Sequence, residues 1–214
     1  MTTETLPRQR IEISEAFSYG WRQLMKAPAP WLIMAVGGVA AGSVMGWLSG
    51  LTSGSPGGFL FGLAAFVVTN LVWFVMVRMS LAAVRGDPVT IPEMSDHWDR
   101  FVTYLVAGFL YGLGVAFSLV LLIIPGIMFA VAFYFYGFIV VDAGSDPITA
   151  LKEARALSRG KRWPLFGAGL VAILIHILGL LAFGVGILLA MPVTYLAAGH
   201  IYQQLRGEPI ATDG

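Results

Sequence analysis

The sequence predicts an all-α polytopic membrane protein, and three observations lead to that fold class. Of the 214 residues, 57% are hydrophobic and only 12% are charged, whereas a soluble domain carries about 25% charged residues. The mean hydropathy is +0.80, and six apolar runs approach the length that crosses a bilayer. A water-facing surface cannot be built from so few charges, so the composition excludes a soluble enzyme. The length favours a single domain.

Six transmembrane helices are predicted from the apolar runs, because about 20 mostly apolar residues cross the hydrocarbon core. The runs cover residues 31–50, 59–84, 101–124, 127–141, 165–183 and 185–205. Pro125 and Gly126 form a turn signal, so the third and fourth runs are predicted to make a tight helical hairpin around them. Gly184 and Gly186 predict a similar turn between the fifth and sixth runs.

The positive charges predict which side of the membrane each connection faces. All 13 Lys and Arg residues lie at the termini, in the connections of one side, or close to them, and the three opposite connections contain none. Positive residues are retained in the cytoplasm, so we expect both termini to be cytoplasmic in a bacterial cytoplasmic membrane. Residues 1–30 are too polar for a cleavable signal and form a predicted cytoplasmic segment. A six-span bundle at 31–205 and a tail at 206–214 complete one integral domain.

Two further segments have the pattern of amphipathic helices that lie at the membrane surface. In residues 14–26, one face is predicted to carry Ile13, Phe17, Gly20, Trp21 and Leu24, and the opposite face Glu15, Ser18, Arg22 and Lys26. Residues 146–159 begin with Asp146 as a helix N-cap and Pro147 in the first turn. Their two faces carry Ala150, Leu151, Ala154 and Leu157 on one side and Lys152, Arg155 and Arg159 on the other. The alternative for each segment is a cytoplasmic helix packed on the bundle.

The cations of these segments predict a surface that binds anionic lipid headgroups. Amphipathic helices at a membrane turn their cations toward such headgroups and their apolar face toward the acyl chains. The residues assigned to this surface are Trp21, Arg22, Lys26, Lys152, Arg155, Arg159, Lys161 and Arg162. The predicted partners are therefore membrane lipids, with a membrane-protein partner or a second copy of the chain as further candidates.

The chain also contains a weak internal repeat in parallel orientation. Aligning the two amphipathic segments pairs Ala16 with Ala150 and Pro30 with Pro164. Each unit then continues through two spans and ends in nearly the same five residues, Arg-Gly-Asp-Pro-Val at 85–89 and Arg-Gly-Glu-Pro-Ile at 206–210. Duplication is the favoured cause. The alternative is that Arg-Gly-acid-Pro simply stops a helix, since Gly and Pro both terminate helices.

Polar residues inside the spans are the default functional candidates of a membrane protein, and few are present. Asn70 lies in the second span and His176 near the middle of the fifth. If they meet, they form a polar site within the membrane; the alternative is an ordinary interhelical hydrogen bond, worth about 0.6 kcal/mol. Pro192 in the sixth span removes a backbone hydrogen bond and predicts a kink.

Glycines recur every fourth residue along the first span, at Gly38, Gly42, Gly46 and Gly50. Such a stripe allows another helix to approach closely. Its predicted partner is another span of the same molecule or a second copy.

The connection between the second and third spans gathers Glu93, Asp96, His97 and Asp99 around Trp98. A metal site needs convergent ligands and a supporting shell, so capping of the next helix is the favoured interpretation, and no metal or cofactor is predicted. Phosphate loops, zinc helices and nucleophile elbows are missing from the sequence. Residues 142–160 have a passing likeness to alcohol phosphotransferases but lack the further aspartates that would hold two metals. Catalysis and nucleic-acid binding are both disfavoured.

The hairpin and the second amphipathic segment resemble a known group of bacterial proteins. The matching residues are Ile124-Pro125-Gly126, Val140-Val141-Asp142, Asp146-Pro147-Ile148-Thr149-Ala150-Leu151-Lys152 and Ser158-Arg159-Gly160. They are similar to the YciC-like inner-membrane proteins and to the membrane domain attached to some glycerophosphoryl diester phosphodiesterases. The resemblance implies six spans preceded by an amphipathic segment. It transfers no active-site residue, because the catalytic domain of those phosphodiesterases is a separate soluble barrel.

The function predicted from the sequence is non-catalytic. We expect a membrane scaffold or accessory subunit that contacts anionic lipid and a protein partner. The alternative is a small-molecule or lipid transporter that works through a cavity near Asn70, His176 and Pro192.

Overall fold

The computed structural model describes residues 11–89, 99–182 and 184–211, and every regular element in those ranges is a helix. The helices are α1 (Ile13–Lys26), α2 (Pro28–Leu51), α3 (Pro56–Arg85), α4 (Asp99–Leu121), α5 (Ile123–Phe133), α6 (Tyr136–Ala143), α7 (Pro147–Leu157), α8 (Arg162–Leu181) and α9 (Gly186–Arg206). They pack as three hairpins, α2 with α3, α4 with α5 and α6, and α8 with α9, while α1 and α7 pack alongside.

Five helical segments are long and apolar enough to cross a membrane. They are α2, α3, α4, the α5–α6 stretch taken as Ile123–Ala143, and α8. Their apolar side chains face outward: Phe59 is 73% exposed, Phe117 71% and Val120 86%. Monomeric soluble proteins rarely expose continuous apolar patches above roughly a few hundred Å². These faces therefore belong in lipid, and the chain is a membrane protein.

The sixth predicted span corresponds to α9, which is not among those five segments. Of the described helices, α9 is the most enclosed, because α1, α2, α3 and α8 all pack against it. Every residue from Leu196 to Gln203 is buried. A helix surrounded by protein needs less apolar surface than one surrounded by lipid, and α9 accordingly carries Thr194, His200 and Gln203 among its apolar residues.

The turn between α4 and α5 lies before the Pro-Gly pair that was predicted to form it. The residue with extended backbone is Leu122, with φ −164° and ψ 141°, while Pro125 and Gly126 belong to the first turn of α5. Proline is tolerated there because the first four N–H groups of a helix have no acceptor within it. A Cβ atom on Gly126 would lie 2.4 Å from Leu119 Cδ2. The pair therefore marks a helix start and a close approach of α4, not the turn itself.

Helix α1 packs along α9 through a narrow buried face. The buried residues of α1 are Ala16, Tyr19, Gly20 and Leu24. A Cβ atom on Gly20 would lie 2.7 Å from the carbonyl oxygen of Val193, so a side chain at this position would collide with the backbone of α9. Trp21, predicted on the same face, is 50% exposed, because one residue turns the helix by about 100° away from the contact.

Helix α7 begins at the predicted cap and ends on α5. The Asp146 carboxylate accepts a hydrogen bond from the backbone N–H of Thr149 (3.1 Å), with Pro147 following in the first turn, which confirms the predicted N-cap. At the other end, the buried Ser158 hydroxyl lies within hydrogen-bond distance of two carbonyl oxygens, that of Ala132 in α5 (2.7 Å) and that of Ala154 in α7 (2.6 Å), and links the two helices. Since Ala150 and other small residues of α7 are buried, its cationic side faces away from the bundle.

Both repeat units end with the same backbone geometry. Gly86 has φ 81° and Gly207 has φ 70°, a left-handed conformation that glycine adopts without strain. The residue after each glycine donates its backbone N–H to a carbonyl oxygen in the preceding helix. These bonds join Asp87 to Ala82 (2.9 Å) and Glu208 to Gln203 (3.1 Å). These are Schellman caps, so the Arg-Gly-acid-Pro sequence acts locally as a helix stop. Duplication of the units stays a prediction.

Candidate functional site

The two helix stops of the repeat meet at one end of the bundle around Asp142. Its side chain is 9% exposed and accepts hydrogen bonds from Arg85 of the first stop and from the Tyr202 hydroxyl (3.0 Å). Arg206 of the second stop lies 3.6 Å from the carboxylate oxygen that accepts from Tyr202, whereas Arg85 contacts the other oxygen. Glu208 accepts from Arg206 Nε (2.6 Å) and lies 3.8 Å from Arg85. We call these five residues the charged cluster.

Arg100 supports the charged cluster from α4. Its guanidinium donates to the carbonyl oxygens of Val141 (2.6 Å) and Asp142 (3.2 Å), near the end of α6. The last carbonyls of a helix have no partner within it, and a cation there also complements the helix dipole. The carboxylate of Asp142 is thus held by a fixed backbone, between two arginines that are far apart in sequence.

The charged cluster was missed by the sequence analysis as a site. Each Arg-Gly-acid-Pro stop was recognised, and Asp142 was noted only within the family-like motif. The available signal was an isolated acid that ends an apolar run, together with two arginines at equivalent positions of a repeat. Because four ionic groups and a tyrosine pair with one another, the cluster joins the ends of α3, α6 and α9.

The predicted headgroup surface is divided between two places. Trp21, Arg22 and Lys26 lie on α1, which packs on α9, α2 and α8, whereas α7 packs on α4, α5 and α6. The α7 group contains Lys152, Arg155, Arg159, Lys161 and Arg162. Among these, Lys152, Arg155 and Arg159 are exposed, and Arg159 and Arg162 line one groove. The structure therefore groups the cations of α7 and the α7–α8 connection and leaves those of α1 apart.

Asp146 fixes the start of that cationic helix. The Thr149 side chain and backbone N–H, which hydrogen-bond its carboxylate, hold the pKa of Asp146 below its usual range. The ionised carboxylate also complements the positive end of the α7 dipole. The cap therefore stays charged at neutral pH and orients α7 on the bundle.

A mostly apolar cavity of about 600 Å³ lies between α5, α8 and α9. His176 lines it, together with polar groups of Tyr111 and Thr194. The Tyr111 hydroxyl donates to the carbonyl oxygen of Ala130 (3.2 Å) and that of Thr194 to its own helix. His176 Nδ1 bonds to the carbonyl oxygen of Ala172 (2.8 Å), which requires the proton on Nδ1 and leaves Nε2 as an acceptor in the neutral ring.

Asn70 and Pro192 do not line this cavity. The Asn70 amide donates to the carbonyl oxygen of Phe66 (2.9 Å) in its own helix, as His176 does in α8. A polar side chain in an apolar helix can complete its hydrogen bonding locally, by donating to the backbone carbonyl oxygen four residues earlier. The structure therefore does not bring the two predicted polar residues together, and it places only His176 at a cavity.

The glycine stripe of α2 is used over half its length. A Cβ atom on Gly38 would lie 2.7 Å from Val72 Cγ1 of α3, and one on Gly42 would lie 3.7 Å from the Thr69 hydroxyl. Apart from the neighbouring backbone of α2 itself, nothing in the described residues lies within 4 Å of such an atom on Gly46 or Gly50. The first two glycines thus pack within the α2–α3 hairpin.

The acidic connection with Glu93, Asp96, His97 and Trp98 lies outside the described residues. Its last acid, Asp99, opens α4 in the structure.

An all-helical bundle with outward apolar faces and charged residues collected near its end defines a polytopic membrane protein. Within that class, a family model described as "Domain of unknown function (DUF7847)" matches residues 23–206, and the chain belongs to this family. No curated protein and no solved structure matches the chain. The resemblance to the YciC-like proteins stays a prediction.

Proposed function

We propose that this is a non-catalytic membrane protein that binds anionic lipid through the α7 group of cations and serves as a scaffold or accessory subunit for a protein partner. In this proposal, α9 is the sixth span. Both termini and the charged cluster face the cytoplasm of a bacterial cell, so that α1 and α7 lie at the cytoplasmic surface of the membrane.

The observation that carries the proposal is the arrangement of α7. Its small residues Ala150 and Ala154 are fully buried against the bundle, and its Asp146 cap and Ser158 anchor fix both ends. The rotation of the helix is therefore set, and Lys152 and Arg155 face outward. Each cation near an anionic membrane surface contributes about 1 kcal/mol of attraction, so five within eleven residues favour anionic lipid strongly.

The test measures the lipid that accompanies the protein. Wild type and a variant with Gln at residues 152, 155, 159, 161 and 162 are reconstituted in vesicles of phosphatidylglycerol and phosphatidylcholine. Each protein is then extracted together with its surrounding lipid by a membrane-solubilising polymer, and the lipids in the extract are quantified. We expect phosphatidylglycerol to be enriched around the wild type and not around the variant.

A charge-conserving variant provides the matched control. Exchanging each Lys for Arg and each Arg for Lys at those five positions keeps every charge, and enrichment of anionic lipid should persist. If the Gln variant enriches phosphatidylglycerol as the wild type does, anionic-lipid binding by this group is excluded.

The orientation is tested separately. Reporter tags at residue 54, between α2 and α3, and at residue 214 should report opposite compartments. If both tags lie in one compartment, the six-span arrangement with cytoplasmic termini is wrong.

A second candidate function, transport of a small apolar molecule or lipid, is supported by the cavity beside His176. Its 600 Å³ lie within the range of about 300–1,000 Å³ that is usual for ligand sites. Flux in proteoliposomes should fall with His176→Ala and remain unchanged with Asn70→Ala, which lies away from the cavity. Equal flux in all three proteins would exclude this site.

A further inference from the structure

A second cavity, a groove of about 570 Å³, lies between α5 and the start of α8. One wall is formed by Ile124, Ile127 and Met128 of α5, and the other by Trp163 and Phe166 of α8. Trp163 is 83% exposed and Ile124 73%, so the apolar walls open to the exterior of the bundle. Such walls in a membrane protein are suited to an acyl chain.

The charges of the groove are confined to one end. Arg159 in the α7–α8 connection and Arg162 at the start of α8 line it, and the lining, all of it described, includes no acidic residue. Ser158, which precedes Arg159, bonds to Ala132, so the charged end is at Val131 of the lining. Ile124 lies at the opposite end, about 10 Å from Val131 along α5 at a rise of 1.5 Å per residue. The groove is therefore cationic at one end and apolar along its length, which complements an anionic lipid.

One side-chain hydrogen bond and one glycine turn hold the arginines at the groove. The Ser158 hydroxyl bonds the end of α7 to the carbonyl oxygen of Ala132 in α5, directly beside the groove wall. Gly160 then turns the chain with φ 73°, a conformation that favours glycine. Because of this short, fixed turn, Arg159 and Arg162 both reach the groove.

Arg162, which lines the groove, also has a donor without an acceptor. Its Nε is buried and has no hydrogen-bond acceptor among the described residues. Buried polar atoms nearly always have a hydrogen-bond partner, so an unpaired one is a candidate to bind a ligand. A phosphate oxygen is a suitable acceptor, because guanidinium groups bind phosphate through several N–H groups at once.

We propose that this groove binds one anionic phospholipid, with its phosphate on Arg159 and Arg162 and an acyl chain along α5 between Met128 and Phe166. The inference rests on the proposed function and deepens it, from a surface that prefers anionic lipid to a defined site with one bound molecule. The groove supplies the shape that a flat cationic surface lacks, and its apolar wall supplies contacts that a soluble phosphate cannot make.

Native mass spectrometry of the full-length protein, purified in mild detergent with added phosphatidylglycerol, tests the site. Wild type should retain one lipid molecule. The variant Arg159→Gln/Arg162→Gln should lower its occupancy by about ten-fold or more, since a charged hydrogen bond is worth at least one such factor. The matched control Lys152→Gln/Arg155→Gln removes two charges from the exposed side of the same helix region and should keep the bound lipid.

Each other outcome has a defined meaning. Equal loss in both double variants, or no loss in the arginine variant, would overturn the groove. Excess inorganic phosphate should leave the lipid bound; displacement by phosphate alone would show that the apolar wall contributes nothing and would also overturn it.

A second variant keeps the test decisive if the arginine variant does not fold. Met128→Trp fills the groove from a half-exposed position and leaves every cation in place, so it should expel the lipid. The result also separates the two proposals. If Met128→Trp loses the retained lipid but enriches phosphatidylglycerol in vesicles as wild type does, both stand; if it retains the lipid, the groove alone fails.

Discussion

Replacing Asp142 by Asn removes the buried negative charge that lies between Arg85 and Arg206. The substitution keeps the shape of the side chain and one oxygen to accept from the Tyr202 hydroxyl. It leaves the two arginines near one another with Glu208 as their remaining acidic neighbour. We expect the ends of α3, α6 and α9 to lose their common anchor, and the protein to become less stable.

Two energies bound the expected loss of stability, that of a hydrogen bond to a buried charge and that of an exposed ion pair. A hydrogen bond to a charged group contributes about 1.5–3 kcal/mol, and Asp142, with its side chain 9% exposed, accepts one from a guanidinium. The arginine side chains are 38% and 35% exposed, so water replaces part of what they lose, and an exposed pair is worth only about 0.2–1 kcal/mol. Between these limits, we expect Asp142→Asn to lower the free energy of unfolding by about 2 kcal/mol.

The measurement is reversible unfolding of the purified protein in mixed micelles, followed as a function of denaturing detergent. A double-mutant cycle with Arg85→Gln isolates the pair, and we expect a coupling energy of about 1 kcal/mol. Glu153→Gln, at an exposed acid of α7, is the control and should change stability by less than about 0.5 kcal/mol. If Asp142→Asn costs no more than this control, the charged cluster does not stabilise the bundle.

Three further substitutions test the packing and the cap. Gly20→Val should release α1 from α9 and destabilise the protein by about 1–3 kcal/mol through overpacking, seen as cleavage of α1 by added protease; an intact α1 would contradict the contact. Gly38→Leu should destabilise the α2–α3 hairpin in a thermal melt, while the control Gly46→Leu should not, and equal melting temperatures would refute the assignment of the stripe. Because the pKa of Asp146 is lowered in the folded protein, its cap stabilises α7 above the usual carboxyl range, and this contribution is lost as the pH falls through the lowered pKa. The protection of the Thr149 amide, measured as its exchange rate relative to an unstructured amide at the same pH, should therefore fall in acid in wild type and lose that pH dependence in Asp146→Ala.

Local patterns predicted the elements of the fold well. Apolar runs indicated the membrane helices, the Asp-Pro pair at residues 146–147 indicated the start of α7, and the Arg-Gly-acid-Pro sequences indicated where α3 and α9 end. Each of these depends on a few neighbouring residues and on the solvent around one helix, both of which the sequence encodes directly. The prediction that residues 125–126 form the turn between α4 and α5 was wrong, because a Pro-Gly pair is compatible with a turn and with the start of a helix.

Contacts between distant helices were not predictable in the same way. Asn70 and His176 were paired as candidates by their polarity, yet each bonds to its own helix, and only His176 reaches a cavity. Arg159 and Arg162 were predicted to share one headgroup-binding surface with six other residues, whereas in the structure these two arginines line a groove of their own. Which helices become neighbours depends on the whole packing arrangement, and polarity alone does not specify it.

By itself, the sequence determined that this chain is a helical membrane protein, because the scarcity of charge and the length of its apolar runs leave lipid as the solvent for most of its surface. The tertiary structure alone decided that α9 is enclosed by other helices, that Asp142 joins the ends of both repeat units, and that two arginines face an apolar groove. These features arise from residues far apart in sequence, such as Arg85 and Glu208, which are 123 positions apart, and their proximity exists only once the hairpins have packed.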